Sequence, residues 1–158
     1  MQFDLTAAQV VELVKRGGLL PDFQPRTLQY WTNEGVVEPT DATAIRHRRY
    51  SFDEAKIARA CAALSHQGVN VRQLKCAASE LRAILGQQQF AAPASKKFKN
   101  AWGALDRASR GEQEAFYIFY LDVEGNAKWA VSETVSAPAE RPFAFVALDW
   151  KRLMEKKP

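Results

Sequence analysis

Val10, Val11, Leu13 and Val14 cluster on one side of a helical stretch that opens with Thr6 and Gln9. A threonine cap with glutamine at the third helical position is a helix-start signature, and Gly17-Gly18 supplies the stop. Leu19 to Gln24 reads as an irregular connector whose leucines and Phe23 tuck under the next helix. That second helix is predicted from Pro25, where a missing N–H costs nothing, to Gly35. Leu28 and Trp31 share one face at i, i+3, while Arg26, Gln29, Tyr30 and Asn33 look outward. Val36-Val37 then begins a strand, Pro39-Thr40-Asp41 marks a turn, and Ile45 to Tyr50 returns as the partner strand, giving a two-stranded wing.

Ser51 followed by Asp53 and Glu54 predicts a third helix, capped by serine and with acids offsetting its dipole. Ile57, Cys61 and Leu64 recur at helical spacing up to Gly68. A fourth helix restarts at Val69-Asn70, with Val71, Leu74, Ala78, Leu81 and Leu85 alternating by three and four. That stripe covers about two heptads, enough for packing and marginal for a dimeric coiled coil.

From Gly86 the character changes. The run 87–95, rich in Gln, Ala, Pro and Ser, reads as a linker. Lys97 to Arg110 is predicted helical, with Phe98, Trp102 and Leu105 on one side. Phe116 to Leu121 and Lys128 to Ser132, joined by a turn around Glu124-Gly125-Asn126, form a hairpin. Phe143 to Leu148 adds a third strand, and Asp149 to Met154 a final helical turn. We expect Phe116, Ile118 and Tyr120 to bury with Trp129, Val131 and Phe143. The opposite face, Tyr117, Phe119, Ala130 and Val146, is unusually apolar for solvent, so it is expected to be covered by the other domain or a second chain, or to receive a ligand, with protein contact favoured. The expected class is therefore α+β: a winged helix-turn-helix over residues 1–86, a linker over 87–95, and a small α+β unit over 96–158 with a three-stranded antiparallel sheet.

The 158 residues are 47% hydrophobic, which suits a folded chain. No apolar run approaches the roughly 20 residues of a membrane span, and the N-terminus lacks a signal-peptide pattern. A cytoplasmic protein without a membrane partner is the expectation. Net charge is only +4, so bulk charge does not announce a nucleic-acid binder; local clustering does. Arg46, Arg48 and Arg49 fall within four residues free of acid. Lys96, Lys97 and Lys99 form a second cluster, and further lysines crowd the C-terminus; solvated surface is the bland reading of both and the favoured one for the C-terminal group. Cys61 and Cys76 sit among small apolar residues and read as buried free thiols rather than metal ligands.

A helix with a polar, aromatic outer face, a glycine stop and a basic arm can place a helix in a DNA major groove and a wing on the flanking phosphates. The residues also resemble a family. Arg26-Thr27-Leu28-Gln29-Tyr30-Trp31, the exit Glu34-Gly35-Val36-Val37 and the arm's Arg48-Arg49-Tyr50-Ser51 are similar to the DNA-binding domain of MerR-type transcription regulators, over roughly Leu5 to Leu85. The resemblance implies a winged helix-turn-helix binding double-stranded DNA. Thr27, Gln29 and Tyr30 would face DNA from the helix, and Arg48 and Tyr50 from the wing. The helical face adds Arg26 and Asn33; charge adds Arg46 and Arg49. Gln29 stands where the family usually has arginine, and no family effector domain is recognisable after Leu85.

The expected function is a sequence-specific transcription regulator, with helix 70–86 and the C-terminal sheet as a homodimer contact and a small-molecule or protein effector open. An adaptor using the same fold for protein binding, or a mobile-element DNA architectural factor, would read similarly. Catalysis is not expected, because none of the carboxylates Asp106, Glu112, Glu114, Asp122, Glu124 or Asp149 pairs with a histidine, cysteine or Gly-rich loop. No cofactor or metal is implied.

Overall fold

Thr6 starts the first helix as its sequence predicts. Its hydroxyl accepts from Gln9 N at 3.2 Å while Gln9 Oε1 accepts from Thr6 N at 2.8 Å, a reciprocal capping box. In this computed structural model, residues 4–16, 20–86, 96–122, 124–135 and 145–155 are described, without the side chains of Lys96 and Phe98. The expectations for Gly17-Gly18, Leu19, the linker 87–95 and Phe143 lie outside them. Two compact units divide within the fourth helix, between Ser79 and Glu80.

The first unit holds β1 (Leu5–Thr6), α1 (Ala7–Lys15), α2 (Pro25–Glu34), β2 (Arg49–Tyr50), α3 (Phe52–His66) and the start of α4 (Val71–Leu85). α3 is buried on most sides by small residues, Ala55, Ala58, Ala60, Cys61 and Ala62, which let other segments approach closely. α1 packs on it through Val10, Val11 and Val14, all buried. The Ser51 hydroxyl caps α3 by accepting from Glu54 N at 3.1 Å. Asn70 and Gln73 cap the start of α4 reciprocally, at 3.0 and 3.3 Å. On α4, Leu74, Ala78 and Leu81 are buried with Ala77 and Ile84, so the expected stripe is spent inside the chain. Cys61 is buried as expected; Cys76 is exposed, because it lies off that stripe.

α2 buries Leu28 and Trp31, with Phe23 against Trp31 at 5.3 Å between ring centroids. Burying a side chain such as Leu28 contributes about 1.5–3 kcal/mol, which fixes the helix's rotation and leaves its other face to solvent. Gly35 ends α2 at φ 78°, a conformation glycine adopts without steric cost. A Cβ there would also stand 3.4 Å from Lys75 Cε.

The two-stranded wing differs from its expected form. Val36 and Val37 do not begin a strand. Both side chains are fully buried, which alternation forbids, and both backbone N–H groups donate to Trp31 O, at 2.9 and 3.4 Å. With those donors used, the returning strand finds another partner: Leu5 pairs with Tyr50 and Thr6 with Arg49, antiparallel. The arm between is an irregular loop, cross-linked where Thr40 N donates to Arg49 O at 2.8 Å.

The second unit contains α5 (Lys96–Ser109), β3 (Phe116–Leu121), β4 (Ala127–Ser132), β5 (Phe145–Asp149) and α6 (Trp150–Leu153). The sheet is antiparallel, ordered β4-β3-β5. Asp122 makes the hairpin turn, its carboxylate accepting from the N–H groups of Glu124 and Asn126 at 2.9 and 2.8 Å, with Gly125 at φ 83°. These bonds hold the Asp122 carboxyl below the usual carboxylate range, the Asn126 N–H first among them.

Register corrects the expected faces. Phe119 pairs with Trp129 and Tyr117 with Val131, so Trp129 and Val131 share a face with Tyr117 and Phe119, not with Phe116, Ile118 and Tyr120. The hairpin turn is one residue different from a simple count, and a one-residue slip moves every side chain to the other face. Tyr117, Ile118, Phe119 and Tyr120 are all buried, so both faces of the sheet are covered along β3, including the one expected to be apolar and covered. The Tyr117 and Trp129 rings stack, 6.4 Å apart and 12° from parallel. Trp150 closes the unit, donating from Nε1 to Ser109 Oγ at 3.0 Å. Among the described residues, no helix is long and apolar enough to cross a membrane.

Candidate nucleic-acid interface

Because Leu28 and Trp31 point into the first unit, the remaining face of α2 points away from it. Arg26, Gln29, Tyr30 and Asn33 are exposed there, Tyr30 at 50%, and Thr27 is half-buried at the edge of the face. α2 begins with no side chain capping it, and Pro25 at its start removes one donor.

The arm returns to this face through Arg48. Its guanidinium Nη1 donates to Asn33 Oδ1 at 3.0 Å, and its Nε donates to Ala44 O at 3.0 Å. One side chain therefore joins the outward face of α2 to the middle of the arm, and the planar guanidinium suits two fixed acceptors. Among the described residues, no acceptor engages the Asn33 amide N–H groups, which can therefore serve a further acceptor. His47 sits in the left-handed region at φ 55°, the local kink that lets Arg46 and Arg48 leave the backbone differently. Arg46 and Arg49 are exposed, and among the described residues neither they nor Arg26 form an ion pair. Their charges are thus available to an external anion.

Three contacts brace the arm, two of them to helices and one within it. The carboxylate of Glu54, itself buried, accepts from Glu38 N at 2.9 Å. Asp41 accepts from Thr43 Oγ1 and Thr43 N, at 2.6 and 2.9 Å, and these bonds hold its carboxyl below the ordinary range, the hydroxyl first. The third is made by Tyr50.

Tyr50 is a correction. Expected to face DNA from the arm, it is only 2% exposed, and its hydroxyl meets Thr32 Oγ1 at 3.0 Å. Thr32 spends its own proton on Leu28 O at 2.8 Å, so Tyr50 is the donor. Strand alternation explains the inversion: Arg49 takes the outward position of β2, and Tyr50 must take the inward one. Tyr50 fastens the arm to α2 and offers no ring to a ligand.

Two features escaped the sequence reading. Lys75, from α4, lies against the C-terminal end of α2 and adds a cation beside the interface. Ile45 stands 86% exposed on the arm, next to Arg46. Neither carries a local signal, since both depend on how distant segments meet. Among the described residues, no group of three His, Cys, Asp or Glu is placed to hold a metal ion.

Residues 7–81, from α1 into α4, match the family of MerR HTH family regulatory proteins. Compared with curated proteins, the chain finds no match.

Proposed function

From the match of residues 7–81 to MerR HTH family regulatory proteins, we propose that this chain is a sequence-specific DNA-binding transcription regulator. α2 lies in the major groove, and the arm 37–50 acts as a wing on the adjacent backbone. The observation that carries this reading is the Arg48–Asn33 hydrogen bond, which brings the polar face of α2 and the basic arm to one side of the unit. Gln29, Tyr30 and the free amide of Asn33 read base edges; a glutamine or asparagine amide suits adenine. Arg26, Arg46 and Arg49 meet phosphates, and Arg48 orients the wing against the helix. Residues 96–158 serve assembly or sensing. Since the apolar stripe of helix 70–86 is already buried, a homodimer through that helix would use its outer face, with Arg72, Lys75 and Ser79.

The test is a salt titration of binding to a duplex selected from a random pool. Neutralising one phosphate fewer changes the slope of log K against log salt by about 0.9, so Arg46→Ala/Arg49→Ala flattens it by roughly twice that amount. Gln29→Ala should instead weaken discrimination by about 1–3 kcal/mol while leaving the slope alone. Unchanged affinity and slope in the double arginine variant would remove the wing from the interface. A two-fold symmetric selected site identifies a dimer.

A further inference from the structure

A cleft of about 490 Å³ opens between α5 and β4, wholly inside the second unit, and falls within the roughly 300–1,000 Å³ typical of small-molecule sites. Small side chains, Ala101, Ala104 and Ala130, line it as an apolar floor with Gly103 beside them, and Glu133 adds one carboxylate to the lining against the cations of α5. Larger residues at the alanine positions would fill the space. The helical row Lys99, Gly103, Arg107 places two cations on the cleft wall, two turns apart, because residues four apart share a face.

Arg107 is held in place. Its Nε donates to Gln113 Oε1 at 2.9 Å, and its Nη1 lies 3.4 Å from where a Cβ on Gly103 would sit, an ordinary contact distance that places the guanidinium along the helix beside Gly103. Among the described residues, neither Lys99 nor Arg107 is in an ion pair. The opposite wall is fixed as well. Trp129 donates from Nε1 to Glu80 Oε2 at 2.8 Å, and Lys97 Nζ sits 4.2 Å from its ring centroid. Lys97 also donates to the Trp129 backbone oxygen at 3.4 Å. That oxygen on the sheet's edge strand is therefore already engaged, which disfavours an added peptide strand and leaves the cleft to a compact ligand.

We propose that this cleft binds a small organic anion. Lys99 and Arg107 hold its carboxylate or phosphate, and the alanine floor receives an apolar body. The assignment is independent of the DNA-binding reading, since it concerns residues of the second unit and is measured without DNA.

The test uses the full chain and isothermal titration calorimetry with 2-naphthoate, 2-naphthyl phosphate and the neutral 2-naphthamide. The two anions should bind and the amide should bind about ten- to a hundredfold more weakly, the usual worth of one charge-assisted hydrogen bond. Lys99→Gln/Arg107→Gln should abolish the difference between acid and amide. Lys99→Gln alone, at an exposed position, gives the same direction should the double variant fail to fold. Ala104→Phe, which fills the floor, should remove binding of both anions. Equal binding of acid and amide, an unaffected lysine variant, or no binding of either anion overturns the proposal. So does tighter binding of a short Asp/Glu-rich peptide, which would identify the cleft as a protein-docking groove.

Discussion

The Tyr50–Thr32 contact yields a prediction whose magnitude depends on which partner is removed. Tyr50 is 2% exposed and donates to Thr32 Oγ1, while Thr32 donates onward to Leu28 O. Tyr50→Phe deletes a donor and keeps the ring's packing. Thr32 retains its bond to the helix backbone, so the loss is that of one ordinary hydrogen bond, about 0.5–1.5 kcal/mol. Thr32→Val removes the acceptor and leaves the Tyr50 hydroxyl in the interior with nothing to bond, which costs about 1–3 kcal/mol. The threonine variant should therefore be the less stable. Urea unfolding followed by circular dichroism measures both, and the double variant closes the cycle: Thr32→Val should cost little once Tyr50 is phenylalanine. DNA affinity of the folded Tyr50→Phe protein should equal that of the parent at every salt concentration. Loss of affinity at unchanged stability would return Tyr50 to the interface and refute the burial argument. A larger stability loss for Tyr50→Phe than for Thr32→Val would refute the assignment of donor and acceptor.

Two further outcomes follow from the same region. Gly35→Ala should destabilise the first unit by about 1–2 kcal/mol, because a Cβ at φ 78° strains the backbone, Lys75 being only in ordinary contact; an unfolding midpoint equal to the parent's would show that the helix end relaxes freely. The Asp41 carboxyl, lowered chiefly by the Thr43 hydroxyl, should titrate by NMR below the ordinary aspartate range, and Thr43→Ala should move it upward. Since the folded value is the lower one, whatever stability this group contributes is present at neutral pH and lost as pH falls through the folded value.

Helix starts and stops were legible because each rests on residues within one turn of each other: Thr6 with Gln9, Ser51 with Asp53 and Glu54, and Gly35 closing a face defined by Leu28 and Trp31. The hairpin of the second unit was legible for the same reason, through Gly125 and its polar neighbours. Strand partnership was not. Val36-Val37 and Arg49-Tyr50 both look extended, but which backbone donors remain for pairing is decided by Trp31 O, which takes those of the valines. The outward face of α2 could be derived from helical spacing, whereas Tyr50 required knowing the direction in which β2 faces, a property of its partner strand. Cys76 and the sheet register failed likewise: composition tells what a residue prefers, and only tertiary pairing tells which side it receives.

Thr6 does three jobs at once: it caps α1, pairs with Arg49, and so tethers the last residues of the arm. Any attempt to transplant residues 25–51 as a portable reading head would carry the helix and its arm while leaving their moorings behind. Val10 and Val14, both fully buried, belong to the same fixture. A working graft has to begin upstream of Leu5 and run past Glu54, so the smallest transferable piece is set by who anchors the loop, not by who touches the target.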